Sequence, residues 1–578
     1  MRTVIDIMAK TFSLSCKGFA GLDQRAGIST SVASFPDMEN FTVEPNGNLK
    51  TRCGYGEYAR TGTNHVRLLW NGNMGGESFT LAYDGEWVYR LSDGIAGAIG
   101  YVEDSIYSFV PFSGYIYCLG DGFYKTDGGI VNEVEGYAPI VLTSASPDCS
   151  GGTALEAPNI ITGLRRVRYN GDGVATDYRL PEKNIIAVRS VTVNGTSLSS
   201  GYINKINEGR VVFDSAPAEG LNNVEICYLA RTSGDGNNKI RGCRYGAVFN
   251  NRLFMYGNPD YPNYLFHTEL GDGIPTGEYF TDTSYHVFDT EVRSLASCFG
   301  RLLVFCKDCS YFTYPELRTD SLGNTYTSFP VYELNGSKGN LVKGNAPSVD
   351  NTPITICADG FNKWVSTDIA DERNAVMFSE RVFGYAAAMA KEPEFVKMCC
   401  RKAKTELWFV FGNDIVVYNY GTDCFYKHRI GRISTLCEHE NGILFALNNV
   451  QGMIYLFSED YDTDGGAIIE AGFSTPFCTF GEPYLLKSLY GLAVAVEGSD
   501  EYSASLFLNR GNGKEKLTLP SRIYLPRMTE KGHRMFRTRI YFKRFYSCKL
   551  SFTTRTQNAE LTELHLFGKS ADRSLRGT

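Results

Sequence analysis

The hydrophobic pattern is most regular between residues 242 and 316, where one arrangement of short apolar runs occurs twice. In each copy a two-residue turn separates two runs, and a third run follows. The turns are Asn250-Asn251 and Phe299-Gly300. The runs are rich in the β-branched and aromatic residues that strands favour, and Asn and Gly tolerate the positive φ of a hairpin turn. Each copy therefore predicts a three-stranded meander, which needs similar neighbours because it cannot bury its own faces.

Further meander units lie on both sides of this stretch. Together with the two central copies they make about seven units, at a loose spacing on the order of 30 to 50 residues, which is typical of β-propeller blades. Their hydrophobic runs cover residues 66–91, 106–125, 247–267, 295–314, 354–365, 407–426 and 433–457. The one clear helical candidate covers residues 371–391, and we expect it to be an excursion between two blades.

Three segments depart from the meander pattern. Residues 11–60 carry few hairpin signals and predict an extended arm with a short helix at residues 36–41; the arm either packs on a neighbouring domain or subunit or forms a first edge strand. The alternation and turn spacing of residues 159–231 suit a small β-sandwich, inserted in a loop because meander units resume after it. Five predicted strands indicate a C-terminal β-sandwich, at residues 489–496, 503–508, 537–545, 549–553 and 561–567.

The predicted fold is all-β, a β-propeller with an inserted β-sandwich and a C-terminal, jelly-roll-like β-sandwich. A chain of 578 residues is too long for a single core. Its 36 Tyr, 36 Phe and 60 Gly also fit an all-β protein with many turns. The predicted units are the N-terminal arm at 1–60, the first part of the propeller at 61–137, the insert at 138–233, the second part of the propeller at 234–465 and the C-terminal sandwich at 466–578.

Sixteen cysteines are scattered singly through the predicted strands. This distribution indicates buried free thiols and assembly in a reducing cytosol. The N-terminal apolar run is short and is broken by Asp6, so we expect no signal peptide. No stretch reaches the roughly 18 apolar residues of a membrane helix.

The charge is unevenly distributed. The net charge of −7 does not favour nucleic acid or acidic membrane as a partner of the whole chain. The middle of the C-terminal segment is nevertheless strongly basic and alternates with aromatic residues. This stretch could bind DNA phosphates, or it could be a solvated strand face or a subunit interface, where Arg is favoured. The candidate interface or DNA-channel residues are Arg534, Arg537, Arg539, Lys543 and Arg544.

Clusters of metal-ligand residue types do not add up to a metal site. Cys306 and Cys309 form the one Cys-x-x-Cys, but no second ligand pair follows, and the two residues between them suit a hairpin turn. Cys399 and Cys400 are adjacent strand residues, which point to opposite faces. Residues 437–440 (Cys-Glu-His-Glu) lie on the shoulder of a predicted hairpin, where a solvated turn is the simpler interpretation.

No catalytic signature stands out. The Asp-Gly dipeptides at Asp84 and Asp359 are similar to sialidase repeats but lack their spacing, and Asp-Gly is a common hairpin turn. A glycosidase carboxylate pair cannot be chosen among 64 acidic residues, and no phosphate-binding loop stands between a strand and a helix. We therefore expect no catalytic, cofactor-binding or metal-binding residues, and no enzyme.

Short patterns distributed over nearly the whole chain resemble the tail nozzle, or tubular protein B-type, family of tailed bacteriophages and related tail and connector propeller proteins. The N-terminal pattern combines a Gly-Leu-Asp turn, a Met-x-Asn segment and an Arg-x-Gly. The insert is similar to a small sandwich module of phage structural proteins, and residues 480–487 resemble the entry to the C-terminal domain. The patterns occupy residues 21–23, 35–40, 47–54, 170–181, 191–195, 201–202, 211–213, 216–217 and 480–487.

The resemblance implies a structural virion protein, a nozzle, tail-tube or connector ring that forms part of the DNA ejection channel. It implies a homo-hexameric ring, other tail and connector proteins as partners, and transient non-specific contact with viral DNA. The expected location is the virion tail, after assembly in the bacterial cytoplasm. The alternative is a propeller-type receptor-binding or glycan-processing protein at the tail tip, with a host cell surface as partner.

Overall fold

The computed structural model describes residues 10–25, 28–29, 33–92, 94–231, 235–319, 325–365, 372–481, 483–497, 502–510, 514–518, 534–555 and 557–571. Strands dominate these ranges, and they build a β-propeller and two β-sandwiches. The predicted fold class is therefore confirmed.

The described residues of the propeller form seven four-stranded antiparallel blades, numbered here in chain order. The strands of blades 1 and 2 are Leu68–Met74, Glu77–Tyr83, Trp87–Ser92 and Ile95–Tyr101, then Ile106–Phe112, Tyr115–Gly120, Phe123–Thr126 and Val131–Glu133. The strands of blades 3 and 4 are Tyr245–Phe249, Arg252–Asn258, Tyr261–His267 and Tyr285–Val287, then Val292–Cys298, Arg301–Cys306, Ser310–Thr313 and Val331–Asn335. Two short hairpins extend these blades, Leu270–Gly271 with Ile274–Pro275 and Glu316–Thr319 with Thr325–Ser328.

Blades 5 to 7 complete the ring. Blade 5 consists of Ser348–Val349, Thr352–Cys357, Gly360–Trp364 and Ala375–Met377, and blade 6 of Lys397–Arg401, Glu406–Phe411, Asp414–Asn419 and Cys424–Arg429. Blade 7 takes three strands from the end of the propeller segment, Ile433–His439, Gly442–Leu447 and Met453–Phe457. Its fourth strand, Tyr55–Arg60, comes from the N-terminal segment.

The blades surround a common axis. The first strands of blades 1 to 4 and of blade 6 contact the next blade, and the first strand of blade 7 contacts that of blade 1. Blades 5 and 6 meet where the Cys400 thiol donates to the Ser348 carbonyl at 3.9 Å. A channel of about 420 Å³ at the axis is lined by the first strands of blades 1 to 4 and by residues at the start of blade 5. The inner strands therefore form a closed ring, as a propeller requires.

The turns inside the central blades have the backbone that their residues predicted. Asn250 and Asn251 have φ angles of 45° and 55°, and Phe299 and Gly300 have 49° and 72°. Two successive positive φ values match the right-handed twist of the flanking strands. The turn chemistry read from the sequence is therefore confirmed at both hairpins.

The insert between blades 2 and 3 is a β-sandwich. Its aromatic core includes Tyr169, Tyr178 and Tyr228, all fully buried, and the rings of Tyr169 and Tyr178 meet edge-on at 5.3 Å. Its larger sheet has the order Thr153–Ala154, Ile140–Ala145, Leu164–Gly171, Gly220–Leu229, Ala187–Val193 and Thr196–Ser197. Its smaller sheet has the order Asp177–Arg179, Arg210–Phe213 and Tyr202–Lys205. The α-helix Asp235–Arg241 leads from the insert into blade 3.

The C-terminal sandwich contains all five strands predicted for it. One sheet has the order Arg534–Phe545, Leu486–Glu497, Glu560–Ala571, Leu49–Thr51 and Phe41–Val43, and Lys10–Lys17 also pairs with Glu560–Ala571. The other has the order Ile28–Ser29, Phe477–Cys478, Ser547–Thr554, Ala471–Ser474 and Asp37–Glu39, extended by Tyr502–Asn509 and Lys514–Thr518. Three or more strands of each sheet share a core that continues into blades 5 to 7, so the sandwich and the propeller are one packed body.

The N-terminal segment is woven into both units. Besides the strands already named, Gly21–Leu22 and Ser34–Phe35 extend the sheet of blade 6. The Arg52 guanidinium uses all five of its N–H donors, on Asn40, Asp464 and the carbonyls of Cys53 and Arg429, at 2.6 to 3.0 Å. The segment therefore supplies strands both to the C-terminal sandwich and to the sheets of blades 6 and 7.

Two predicted helices are corrected. Residues 36–41 form the strands Asp37–Glu39 and Phe41–Val43, because Met38 and Phe41 are buried in the sandwich core and Asn40 breaks any helix with φ of 58°. Within residues 371–391, the α-helix is limited to Phe383–Lys391. It follows the 3₁₀ turns Glu372–Asn374 and Glu380–Val382 and the outer strand of blade 5; two further 3₁₀ turns are Pro393–Phe395 and Lys402–Lys404.

We expect Ile454→Ala to destabilise the protein by about 2–5 kcal/mol, since it opens a cavity in a packed core. Ile454 is fully buried where blade 7 meets blade 1, and it pairs with Ala59 of the closing strand. The control Ile95→Ala removes a side chain that is 74% exposed on blade 1 and should change stability by less than about 0.5 kcal/mol. Urea unfolding measures both. If both variants lose equally little stability, the packing of Ile454 between blades 7 and 1 does not hold the ring closed.

Candidate functional site

The five basic residues selected from the sequence lie on the strand Arg534–Phe545, at one edge of the C-terminal sheet. Arg537 and Arg539 pair with Ala493 and Gly491 of the adjacent strand. Lys543 pairs with Ser488. Among the described strands, this one pairs only with Leu486–Glu497, so within the described part of the sheet it is an edge strand.

Arg544 is the extra residue of a β-bulge. Its neighbours Lys543 and Phe545 pair with the successive residues Ser488 and Lys487, so Arg544 itself has no opposite residue. Its φ of 70° is unusual for a residue other than glycine, and the side chain is exposed. Bulges and basic residues are both devices that discourage the addition of a further strand to an edge.

The polar sequence clusters considered as chemistry are parts of turns. Lys307 and Asp308 form the turn between two strands of blade 4, and the Cys306 N–H donates to the Cys309 carbonyl at 2.9 Å. Asp84 accepts hydrogen bonds from the Trp87 N–H at 2.8 Å and the Tyr89 hydroxyl at 3.0 Å. These groups stabilise hairpins, as the sequence analysis expected.

The segment 437–440 and Asp359 are also occupied by local contacts. Glu438 accepts the Lys402 N–H at 2.8 Å, and His439 accepts the Asn441 N–H at 3.2 Å. Asp359 accepts from Lys338 Nζ at 2.8 Å. In the part of the chain that the structure describes, no three His, Cys, Asp or Glu side chains converge as metal ligands. All sixteen cysteines are free thiols.

Sequence reasoning missed one concave site of the described residues. A polar cavity of about 590 Å³ lies where blades 6 and 7 meet the N-terminal strands of the C-terminal sandwich. One wall comes from residues 401, 403–406, 419, 421–422, 426 and 428 of blade 6, and residues 42–45 and 50–53 form the opposite wall. The volume lies within the range of small-ligand sites. We call it the junction cavity.

A buried carboxylate forms part of the cavity floor. Glu406 is 4% exposed and accepts hydrogen bonds from the Tyr426 hydroxyl at 2.6 Å and Trp408 Nε1 at 2.9 Å. Burial and the neighbouring Glu406 hold the pKa of Tyr426 well above its ordinary value. Tyr426 therefore stays protonated at physiological pH, and its hydroxyl donates the hydrogen bond to Glu406.

Arg401 faces Glu406 in the same floor. Its guanidinium lies 3.5 Å from Glu406 Oε2 and 5.3 Å from the centre of the Phe457 ring, and the side chain is 8% exposed. Arg52, on the other side of the cavity, lies 5.9 Å from the same ring. Two guanidinium groups are thus attracted to one aromatic ring, but only Arg52 has all of its donors paired.

His428 is the third polar group of the floor. It is 1% exposed and packs against the rings of Trp408, Tyr426 and Phe457, and its Nδ1 has no hydrogen-bond partner among the described residues. Burial, together with the positive charges of Arg52 and Arg401, holds the pKa of His428 well below its ordinary value. The imidazole is therefore neutral at physiological pH.

The rim of the cavity is charged and more exposed. Lys404 and Glu459 form an ion pair there, and the hydrogen bond from Lys404 lowers the pKa of Glu459. Lys50 and Glu44 project from the opposite wall. Burial raises the pKa of Cys53, which also lines the cavity, to about 11, so this thiol is an unreactive wall residue.

The propeller channel is of a different kind. Its lining contains no charged side chain; the largest groups are Trp70, Phe109 and Leu295. The residues that line this channel are therefore uncharged, in contrast to the lining of the junction cavity.

No family model and no curated protein matches the sequence. Similar solved structures include the Dos1 propeller, 10% identical over 78% of this chain and 96% of that chain, with a TM-score of 0.28. A gluconolactonase from Xanthomonas campestris is 10% identical over 76% of this chain and 97% of its own, with a TM-score of 0.23. The exo-beta-1,3-galactanase from Phanerochaete chrysosporium is 9% identical over 89% of this chain and 100% of its own, with a TM-score of 0.17.

One expectation from the sequence is corrected by these comparisons. The expectation that the chain is not an enzyme is wrong as an exclusion, because similar structures include a gluconolactonase and a galactanase. The similarity concerns the fold and assigns no reaction to this chain.

No helix in the described ranges is long and apolar enough to cross a membrane.

We expect acid to destabilise the protein through His428. Its pKa is about 6.5 in the unfolded chain and far lower in the folded protein, so below pH 6.5 the unfolded state binds the extra proton. The stability conferred by the neutral imidazole is complete above pH 6.5 and falls as the pH drops, by on the order of 2 kcal/mol at pH 5.

Thermal unfolding between pH 7.5 and 5 measures the effect. His428→Gln should reduce the dependence of Tm on pH, to which the buried His267 and His286 also contribute because burial lowers their pKa; His65→Gln, at an exposed site, is the control. An NMR titration of the wild-type protein gives a second measure if His428→Gln does not fold. A His428 signal that titrates near pH 6.5 would contradict the burial of this group.

Proposed function

We propose that this chain is a structural subunit of a bacteriophage tail, of the nozzle, tail-tube or connector kind, that assembles with its own copies into a ring around the DNA path. The observation that carries the proposal is the basic edge strand of the C-terminal sandwich, with Arg534, Arg537, Arg539, Lys543 and Arg544. The short sequence patterns shared with the tail nozzle family support the same assignment.

The edge favours contact through side chains over the addition of a strand. The pairing of Arg534–Phe545 with Leu486–Glu497 shifts register twice, between Lys487 and Ser488 and between Leu489 and Gly491. Basic residues also occur along the length of Arg534–Phe545. A basic edge on a chain of net charge −7 is attracted to a different, acidic surface of the next copy. Contacts between unlike surfaces generate rings when the rotation closes, and Arg is favoured in interfaces of this type.

The DNA path of this proposal lies between subunits and not through the propeller. The cavity that the inner strands of blades 1 to 4 and the start of blade 5 line measures only about 420 Å³, and this lining has no charged side chain. A channel for DNA needs room for a duplex and gains from basic groups that meet phosphates. A ring of six subunits with the basic edges at their contacts, or facing the path, meets both needs. The virion tail is then the location of the chain.

A second candidate is a receptor-binding or glycan-processing protein at the tail tip. The junction cavity favours it, because a polar cavity with a buried carboxylate, a neutral imidazole and a hydroxyl-lined wall suits a sugar better than a duplex. The two candidates differ in oligomeric state. A ring at micromolar concentration favours the first, and a persistent monomer that retains or turns over glycans favours the second.

Charge reversal of the edge tests the first candidate. Arg537→Glu, Arg539→Glu and Arg544→Glu together should abolish ring assembly, because like charges would then face the acidic surface of the next subunit. The monomer should keep the circular dichroism spectrum and melting temperature of the wild type within a few degrees. Mass photometry of the purified chain, at low and high salt, measures assembly.

The matched control reverses Lys183, Arg189 and Lys205, which are exposed on the inserted sandwich. This control should assemble as the wild type does. Rings that form equally well from both triple variants would count against the C-terminal edge as the interface. A wild-type chain that stays monomeric, alone and with tail partner proteins, would contradict the ring itself.

A further inference from the structure

The junction cavity contains the guanidinium group of Arg401, which uses few of its hydrogen-bond donors within the described residues. A guanidinium carries five N–H donors, yet within the described residues Arg401 makes one hydrogen bond, to Glu406, at the long distance of 3.5 Å. Its neighbour Arg52 uses all five. Nearby, His428 Nδ1 is buried without a partner among those residues, and buried polar atoms in folded proteins are normally satisfied.

We propose that the junction cavity binds a carboxylate-bearing sugar, with Arg401 as the group that holds the carboxylate. The planar fork of Arg matches a carboxylate in a bidentate geometry, and such charge-assisted pairs are stronger than neutral hydrogen bonds. Arg401 is held in place by stacking at 5.3 Å on Phe457 and by Glu406. A ligand that binds it therefore meets a pre-positioned donor and loses little side-chain entropy.

The charge around the cavity agrees with an acidic ligand. Lys50 and Lys404 lie at the rim, and the lining as a whole carries four basic side chains against three acidic ones. Glu406 already accepts from Tyr426 and Trp408, so part of its charge is dispersed over neutral donors. Glu406 therefore repels a ligand carboxylate near Arg401 less strongly than the count of charged side chains suggests.

The remaining lining fits a polyhydroxylated body better than a plain anion. Hydroxyl and amide groups of Thr42, Thr405, Thr422 and Asn558 border the cavity, and Glu44 provides a carboxylate acceptor at its edge. These groups alternate donors and acceptors, as sugar hydroxyls do. A cavity of about 590 Å³ also exceeds the needs of acetate or phosphate and accommodates one or two sugar units.

This inference gives the second candidate function a site and a ligand class, and it does not need the ring of the first. The two are tested separately, because ligand binding is measured on the purified chain whatever its oligomeric state. Loss of rings with binding intact, or the reverse, therefore identifies which proposal has failed.

The experiment is calorimetric and NMR titration of the full chain with D-glucuronate and D-galacturonate, compared with D-glucose and acetate as probes. We expect saturable binding of at least one sugar acid, at least tenfold tighter than binding of glucose or acetate. Arg401→Lys retains the charge opposite Glu406 but lacks the fork, and should weaken binding at least tenfold. Arg429→Lys is the control, because this exposed arginine bonds Asp414 outside the junction cavity.

If Arg401→Lys does not fold, Lys404→Gln at the 44% exposed rim is the substitute and should weaken binding at least twofold with an unchanged melting temperature. If the wild-type protein binds neither sugar acid saturably, the proposal is overturned and the cavity is only a water-filled gap between the two domains. Acetate that binds as tightly would reduce the site to a plain anion site and overturn the sugar assignment. Equal binding to Arg401→Lys and to Arg429→Lys would overturn the role of Arg401.

Discussion

The structure depends on one pairing between segments distant in the chain, the antiparallel contact of Tyr55–Arg60 with Met453–Phe457. Each blade of a propeller leaves two faces to be covered, so an open row of blades would expose the faces at both ends. The pairing makes the seventh blade a hybrid of the N-terminal segment and the end of the propeller segment, and it brings that blade against the first. The cost of closing so long a loop grows only slowly with length, by about 0.6 kcal/mol for each doubling.

The same N-terminal segment fixes the sandwich to the propeller. Arg52 and Asp464 are 412 residues apart, yet they form two hydrogen bonds of 2.8 and 2.6 Å, with the arginine almost fully buried. A buried ion pair is weak evidence for stability unless its other donors are satisfied, and here all five are. The core is continuous across the joint, and the junction cavity lies between the N-terminal strands and blade 6.

Sequence patterns predicted much of this arrangement because the propeller repeats a local unit. Alternating runs and turn residues such as Asn250 and Asn251 are local signals, and they identified the blades, the insert and the C-terminal strands. The pairing partners of the N-terminal segment were not predictable, since an edge strand carries no local mark of what it will pair with. The helix predicted for residues 36–41 is wrong because their pairing partners lie far away in the sequence. Met38 and Phe41 are buried in the C-terminal sandwich, and this burial decides the conformation of the segment.

The junction cavity was missed for a related reason. Arg401, Glu406 and His428 belong to three strands of one blade, with the cavity closed by residues near position 50, and no spacing in the sequence links them. The basic edge strand was visible because its residues are consecutive.

Native-state hydrogen exchange followed by mass spectrometry tests closure of the propeller most directly. The account predicts that backbone amides of residues 55–60 are protected as strongly as those of residues 453–457 and that both are released in the same opening event. Fast exchange of residues 55–60 beside protected residues 453–457 would show that the seventh blade stands without the N-terminal strand, and would contradict the account.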